Sequence, residues 1–413
     1  MNFRSRAFDR RLLTILLIVF VQMVGASMAS PILPLYAQNE FAMNAEVITL
    51  LLAVFYAAQF IAGPFIGRLS DRRGRLPVLL LSQVGTAIAF TMIGFAQSAA
   101  ILFIARILDG VTGGNIVVAQ AYITDIMPEN KRTLALGYVM AAFGLGFIVG
   151  PAIGGVLASQ FGPQIPFVFA AVAATLTVVL TWLTLEETLS PDDIVRNRGQ
   201  SGARLKPIAL LANSPLLAVL SVCFISEFGF GLLIATFALF AEQVLFAGSD
   251  FAAVSLGVGL MLMVFGITQF ATQIFLLPLA LRRLSDPMIV MTGAATRGFA
   301  MILLALASEP RFATASIIVF AIGNGLLMPP LQSLATKTVS REWRGSVLGL
   351  QQSVMSLGVI ASTGIAGAMF AQDATMPNWS GGILTCLAMI PGLILWRWAR
   401  RLPLVTGRGL PAI

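Results

Sequence analysis

The 413-residue chain is 58% apolar and only 11% charged, with a mean hydropathy of +0.90. That excludes a soluble domain, whose surface needs far more polar area to face water. With no histidine and two isolated cysteines, Cys223 and Cys386, the chain carries no His-based acid–base chemistry and no metal-ligand spacing. The cysteines read as small apolar residues within spans rather than as a disulfide or redox pair. The net charge of +8 does not point to nucleic acid, because the basic residues sit in short loops between apolar runs.

Each apolar run is about 20 residues or longer, enough to cross a hydrocarbon core ~30 Å thick. Backbone in lipid has to satisfy its own hydrogen bonds, so these runs are helices. In chain order, spans are expected near 12–37, 45–68, 77–96, 99–127, 133–158 and 165–186. A second set is expected near 214–246, 251–281, 288–307, 312–338, 345–371 and 379–399. The first run follows Arg4, Arg6, Arg10 and Arg11, as the core of a signal peptide would. It is longer than such a core and more spans follow, so it counts as the first transmembrane helix. Between the sets lies the longest polar stretch, with Glu186, Glu187, Asp192, Asp193, Arg196, Arg198, Arg204 and Lys206. The expected organisation is therefore an N-terminal six-helix half over 1–186, a cytoplasmic linker over 187–213, a C-terminal half over 214–402 and a cytoplasmic tail over 403–413.

Placing the N-terminus inside leaves Arg311 alone outside, with Arg106 and Arg297 within spans; the other 23 of the 26 basic residues then lie inside. Such asymmetry sets orientation and predicts two cytoplasmic termini and an even number of spans. The halves look related. At an offset of 212, Gly113, Arg132, Leu136, Gly137, Leu145, Gly146 and Gly155 fall on Gly325, Arg344, Leu348, Gly349, Leu357, Gly358 and Gly367. Arg68-Leu69-Ser70-Asp71 is echoed by Arg283-Leu284-Ser285-Asp286 at 215. Repeated six-helix halves are a transporter architecture, with the binding site near the midplane between them.

The loop after span 2 runs Gly67-Arg68-Leu69-Ser70-Asp71-Arg72-Arg73-Gly74-Arg75. Gly67 can bring two helix ends close together and Gly74 permits a tight turn. Asp71 can face the positive end of a neighbouring helix, and Arg75 can pair with a carboxylate at a nearby helix end. A merely basic topogenic loop is the alternative. In span 4, Arg106 and Asp109 stand at i and i+3, where they can neutralise each other on one face; a structural ion pair and a proton or substrate role both remain open. In span 5, Gly146, Gly150, Gly154 and Gly155 supply small residues at helical spacing for backbone-to-backbone packing, and Pro151 removes one helical hydrogen bond.

The loop after span 2 resembles the signature loop of the major facilitator superfamily, G-x-L-[AS]-D-R-x-G-R. The resemblance implies a latch: Asp71 against the start of span 11, near Trp343 to Val347, and Arg75 bridged to Asp125 at the end of span 4. In the second copy Arg282 replaces the first glycine and no Gly-Arg follows Asp286, so only Asp286 keeps a capping role. Arg106 to Gly110 resembles the superfamily's R-x-x-x-G element, linked in the family to proton coupling. Gly146 to Gly155 is similar to the G-x-x-x-G-P-x-x-G-G motif of its drug/proton antiporters, and Pro31-Ile32-Leu33-Pro34 to their P-x-x-P element. The implied relatives are tetracycline-efflux-like antiporters. The implied fold is an all-α membrane protein of twelve transmembrane helices in two pseudo-symmetric six-helix bundles.

If spans 1, 4, 7 and 10 line the cavity, as the family implies, its polar residues include Gln22, Arg106, Asp109, Asn115, Gln120, Glu227, Asn324 and Gln332. Glu227 has no basic residue within four positions, and desolvation at that depth penalises its charged form, which suits a proton carrier. Its alternative is a structural glutamate bonded to backbone or to Arg297, itself expected to be structural. Phe228, Phe230 and Met328 are candidates for an adaptable apolar wall, against lipid contact or packing. The proton-coupling candidates are thus Glu227, Asp109 and Arg106. The expected activity is proton-coupled efflux of a small, largely apolar or drug-like solute by alternating access. A lone carboxylate points to cationic or zwitterionic compounds. The same scaffold also fits sugar or metabolite symport or uniport. A non-transporting receptor is the reading from another class; an enzyme is not expected, since no nucleophile or metal cluster is present. No cofactor is expected beyond a proton gradient. The expected partners are a small-molecule substrate, protons and lipid, and the chain is expected to work as a monomer in the bacterial inner membrane.

Overall fold

The computed structural model describes residues 3–113, 115–127, 132–189, 214–338 and 344–401. The linker residues 190–213, the tail from 402 onward and Trp343 therefore lie outside the described residues. All regular structure among the described residues is helical. The helices are α1 (Phe3–Phe41), α2 (Ala45–Arg73), α3 (Arg75–Gly94), α4 (Ala99–Thr112), α5 (Asn115–Ile126), α6 (Arg132–Phe161) and α7 (Ile165–Thr184). They continue as α8 (Ser214–Phe240), α9 (Phe251–Ala271), α10 (Leu277–Arg283), α11 (Asp286–Ala305), α12 (Pro310–Lys337), α13 (Arg344–Gln372), α14 (Met376–Leu387) and α15 (Met389–Arg401). Two π-helical turns, Ala241–Leu245 and Thr272–Leu276, prolong α8 and join α9 to α10.

Local chemistry places several boundaries. Asn44 precedes α2 and its side-chain oxygen accepts from the Val47 N–H at 3.0 Å, a conventional N-cap. One residue, Gly74 at φ +105°, separates α2 from α3. Only glycine adopts that conformation without strain, so two spans follow each other with no loop. Among the described residues, eleven continuous helical stretches are long and apolar enough to cross a membrane. The span expected over 99–127 departs from a single helix: it forms α4 and α5, interrupted at Gly113. Two adjacent glycines weaken a helix there, because glycine gains least from helical order.

Packing divides the chain into two compact units: residues 1–202 with 248–266, and residues 203–247 with 267–413. The first has a core of Ile15, Ile18, Val78, Leu79, Val118, Tyr122 and Leu185. The second has a core of Leu216, Val219, Cys223, Val290, Leu327, Leu331 and Leu395. Large apolar side chains also cover the outside: Trp182 is 70% and Phe275 74% exposed. Apolar residues on both faces of a helix are what a lipid-embedded bundle requires.

In the first unit the spacing of glycines decides how α6 packs. A methyl group built at Gly146 would lie 2.6 Å from Met23 Cβ and 3.0 Å from the Phe20 carbonyl oxygen. At Gly150 it would lie 2.7 Å from the Val24 carbonyl oxygen, and at Gly154 2.8 Å from Met28 Cγ. The three glycines form a groove for α1, and the Ser27 hydroxyl donates across it to the Gly146 carbonyl at 3.0 Å. Gly155 faces the other way, where an added Cβ would sit 2.7 Å from the Ser255 carbonyl oxygen. Pro151 lies inside α6, with its carbonyl directed at Gly259.

Candidate functional site

Three polar clusters hold Arg75, Asp125, Arg106, Asp109, Glu227 and Asn324 among the residues expected to act. The first is built on the turn between α2 and α3. Arg75 Nε donates to Asp125 Oδ2 at 2.9 Å, and its Nη1 donates to the Ser70 hydroxyl at 3.1 Å. The start of α3 is thereby joined to the end of α5. The segment after α7 completes the arrangement. The Glu187 carboxylate accepts from the backbone N–H groups of Arg75 and Leu76 at 2.9 and 3.0 Å. It thus satisfies donors that every helix N-terminus leaves free, and sets a negative charge at the positive end of the helix dipole. Gly74 makes room for it: a side chain there would collide with the Glu187 carboxylate. Thr188 donates to Asp125 at 3.1 Å, Tyr122 to the Glu186 carbonyl at 2.9 Å, and Arg11 pairs with the Glu186 carboxylate.

The side chain of Asp71 lies outside the described residues, as does Trp343. Around Gly67 no described atom lies within 4 Å of an added Cβ, so the close approach expected of that glycine is not found among the described residues. In the second unit the described contacts of Asp286 are an ion pair and a hydroxyl bond rather than a cap. In the first turn of α11, it accepts from Lys337 Nζ at 2.6 Å and the Ser333 hydroxyl at 3.3 Å. Lys337 stands 212 positions after Asp125. Each unit therefore ties the start of its third span to the end of its fourth, with the charges exchanged.

The second cluster is on α4. Arg106 Nη1 donates to Asp109 Oδ2 at 2.9 Å, with both side chains nearly enclosed. The guanidinium lies 3.9 Å from the centre of the Phe55 ring, a cation–π contact across to α2. Gly110 allows this approach, since an added Cβ would meet Ala58 Cβ at 2.8 Å. The Gln59 side chain donates to the Gly113 carbonyl at 3.4 Å, where α4 ends.

The third cluster lies within the second unit. Arg297 on α11 is fully buried, with Nη1 3.8 Å from Glu227 Oε1. Nη1 donates to Asn324 Oδ1 at 2.9 Å and Nη2 to the Ser226 carbonyl at 2.5 Å. Asn324 passes the chain on, donating to Gln269 at 2.8 Å. The Phe230 and Phe320 rings stack at 6.2 Å, and the guanidinium lies 5.3 and 5.2 Å from their centres. Gly293 and Gly323 bring α11 and α12 into backbone contact beside Arg297; a Cβ at Gly323 would lie 2.6 Å from the Arg297 nitrogen. The stem of Glu227 faces Gly358 of α13, whose added Cβ would be 3.2 Å away.

Other expected cavity residues lie apart from these groups. Gln22 is buried, with its amide nitrogen unpartnered among the described residues. Gln120 is half-buried, and the Asn115 side chain lies outside the described residues. Gln332 is exposed, eight residues or about 12 Å along α12 from Asn324. Phe228 packs on Phe224 at 6.0 Å, and Met328 packs against the second core. An apolar recess of about 350 Å³ between α3 and α7, lined by Val84, Ile88, Met92 and Val178, contains none of the expected residues. Sequence reasoning missed the capping role of Glu187, the Lys337 partner of Asp286, and the contributions of Phe55, Gln269 and Phe320. An isolated glutamine in an apolar span was a usable signal for Gln269; nothing distinguished Phe320 from other aromatic residues.

The Major Facilitator Superfamily model matches residues 15–363 and 231–412. The chain is 30% identical over 400 residues to the tetracycline resistance protein, class E, of Escherichia coli, covering 94% of this chain and 95% of that one. It is 29% identical over 389 residues to multidrug resistance protein 1 of Bacillus subtilis, covering 93% and 96%. A crystal structure of a bacterial homologue of the human lysosomal transporter Spinster superposes with a TM-score of 0.76 at 18% identity, covering 100% of both chains.

Proposed function

We infer that this chain, which belongs to the Major Facilitator Superfamily, is a proton-coupled exporter of a small, largely apolar or drug-like solute working by alternating access. As a member of that family it is a multi-pass membrane transporter of a small molecule. Its relatives are named for tetracycline and multidrug resistance, which favours efflux over uptake. The observation that carries proton coupling is Glu227: a carboxylate inside an apolar bundle, slightly accessible, and held against a fixed positive charge. Proton and solute then act on one equilibrium, each altering the affinity for the other. Asp109, paired to Arg106, is the second carrier candidate. The distribution of Lys and Arg supports two cytoplasmic termini in a bacterial inner membrane, and a monomer suffices for the mechanism.

The test is pH change in inside-out vesicles under an imposed proton gradient, challenged with lipophilic drugs, sugars and amino acids. A lipophilic compound should collapse the gradient, and Glu227→Gln should abolish the response while the protein still inserts and folds. Normal proton exchange in that variant would remove Glu227 from the account. Solute equilibration without any proton movement would replace antiport by uniport.

A further inference from the structure

A buried ion pair settles the charge that a ligand meets as well as where a proton can bind. The two partners in the second unit are not equivalent: the Glu227 side chain keeps 9% exposure, whereas Arg297 keeps none. The carboxylate is the accessible end and the guanidinium the enclosed one. Arg297 is held by Asn324 and the Ser226 carbonyl and flanked by two rings, and a guanidinium does not give up its proton. The group therefore has net charge zero when Glu227 is ionised and +1 when it is protonated.

No other described charge alters that arithmetic. On α8 itself the neighbour one turn back is the thiol of Cys223; Glu242 follows 15 residues on, about 22 Å along the helix, and Asp286 at the start of α11 is paired to Lys337. Helix α14 has no charged residue; α12, α13 and α15 carry theirs only near their ends, at Arg311, Lys337, Arg344, Arg397, Arg400 and Arg401. Asn324 and Gln269 are neutral. In the first unit the sum is again zero, because Arg106 neutralises Asp109 at 2.9 Å.

We propose that Arg297 is a specificity-determining residue, and that it makes the transported solute an uncharged one. With Glu227 ionised, the state ready for solute, no unpaired negative charge draws a cation; with Glu227 protonated, the site repels one. The expectation of a cationic or zwitterionic solute, drawn from a lone carboxylate, gives way because that carboxylate has a partner 70 residues away in sequence. This inference rests on Glu227 as the proton carrier. It has an energetic corollary: one proton exchanged for one neutral solute moves a net charge, so transport responds to membrane potential as well as to a pH gradient. Exchange of a monovalent cation for a proton would be electrically silent.

The experiment uses the full chain in proteoliposomes and a series of uncharged aromatic amides, each paired with its quaternary trimethylammonium derivative. The expected result is proton release driven by the neutral member at least tenfold faster than by its cationic twin, and accelerated by an imposed potential at zero pH gradient. Arg297→Gln leaves the carboxylate unpaired and should narrow or invert that tenfold preference. The double variant Glu227→Gln/Arg297→Gln removes both charges, as a folding control. Wild-type exchange that favours the cationic members and ignores potential overturns the inference and leaves proton coupling standing. Absence of proton release by any member, while solute still equilibrates, defeats the proton-coupled reading and this inference with it.

Discussion

Replacing Gly150 by alanine tests whether the glycines of α6 act through the spacing of two helix backbones. A methyl group there would lie 2.7 Å from the Val24 carbonyl oxygen and 3.0 Å from the Met28 nitrogen. Ordinary contact begins near 3.5 Å, so α1 has to withdraw by about 0.5–0.8 Å. The Ser27 hydroxyl is nearer still and can rotate aside, but the Val24 oxygen and the Met28 nitrogen belong to backbone and cannot. Overpacking of this kind costs about 1–3 kcal/mol, and withdrawal also strains the Ser27 bond to the Gly146 carbonyl. Gly144, on the same helix, is the matched control. No described atom lies within 4 Å of its added Cβ, so alanine there should gain about 0.5–1 kcal/mol from helix propensity alone. The two single-methyl variants should therefore move in opposite directions. At roughly 2–4 °C per kcal/mol, thermal unfolding in detergent followed by intrinsic fluorescence should separate them by several degrees, Gly150→Ala melting lower. Equal melting temperatures would refute the reasoning and reduce the glycine pattern to composition.

Three further outcomes follow from the geometry. Glu187→Ala removes the acceptor for the first N–H groups of α3. A lost cap of about 1 kcal/mol should speed hydrogen exchange of those amides roughly fivefold; unchanged protection would contradict the capping role. For Asp286 and Lys337, a partly exposed pair contributes about 0–1 kcal/mol. Each single alanine variant should lose that much, and exchanging the two residues should restore it in a double-mutant cycle; zero coupling energy would show that the contact carries no stability. Asp373, between α13 and α14, accepts from the hydroxyl and N–H of Thr375, which hold its carboxyl below the ordinary aspartate range. The folded-state value is depressed, so the stabilisation is present above the unfolded value of about 3.9. It is lost as pH falls through the folded one. Thr375→Val should raise the midpoint seen by carboxyl-carbon NMR of labelled aspartate, and an unmoved midpoint would discard the hydroxyl as its cause.

The long apolar runs were legible because lipid leaves one backbone solution, and most helices fall within a few residues of the expected spans. The Arg75–Asp125 bridge was legible only through family likeness; the residues are 50 positions apart, and either carboxylate or backbone could have received the guanidinium. Arg106 and Asp109 were legible from helix geometry, since three residues bring side chains to one face. Glu227 was visible as an acid at membrane depth, but the weight of Arg297 was not. Nothing along one helix says which face of another will enclose it. The contacts of Gly293 and Gly323, which bring α11 and α12 together, exist only after folding. Glu187 was hidden for a related reason: at the head of a charged stretch it looks like solvent-facing linker, and its meaning comes from a helix start 112 positions earlier.

The interruption at Gly113 bears on how force travels through the first unit. Asp109 and Asp125 are 16 residues apart, and one unbroken helix between them would be a rigid strut about 24 Å long. A strut imposes any tilt at one end upon the other. With α4 ending at Thr112 and Gly113 lying outside the helix, that strut is not continuous. The segment bearing Arg106 and Asp109 is held to α2 through Phe55 and Ala58, while the segment bearing Tyr122 and Asp125 is held to the α2–α3 turn and to the residues after α7. The Arg106–Asp109 pair and the loop cluster around Asp125 then share one expected span of the chain without sharing one continuous helix.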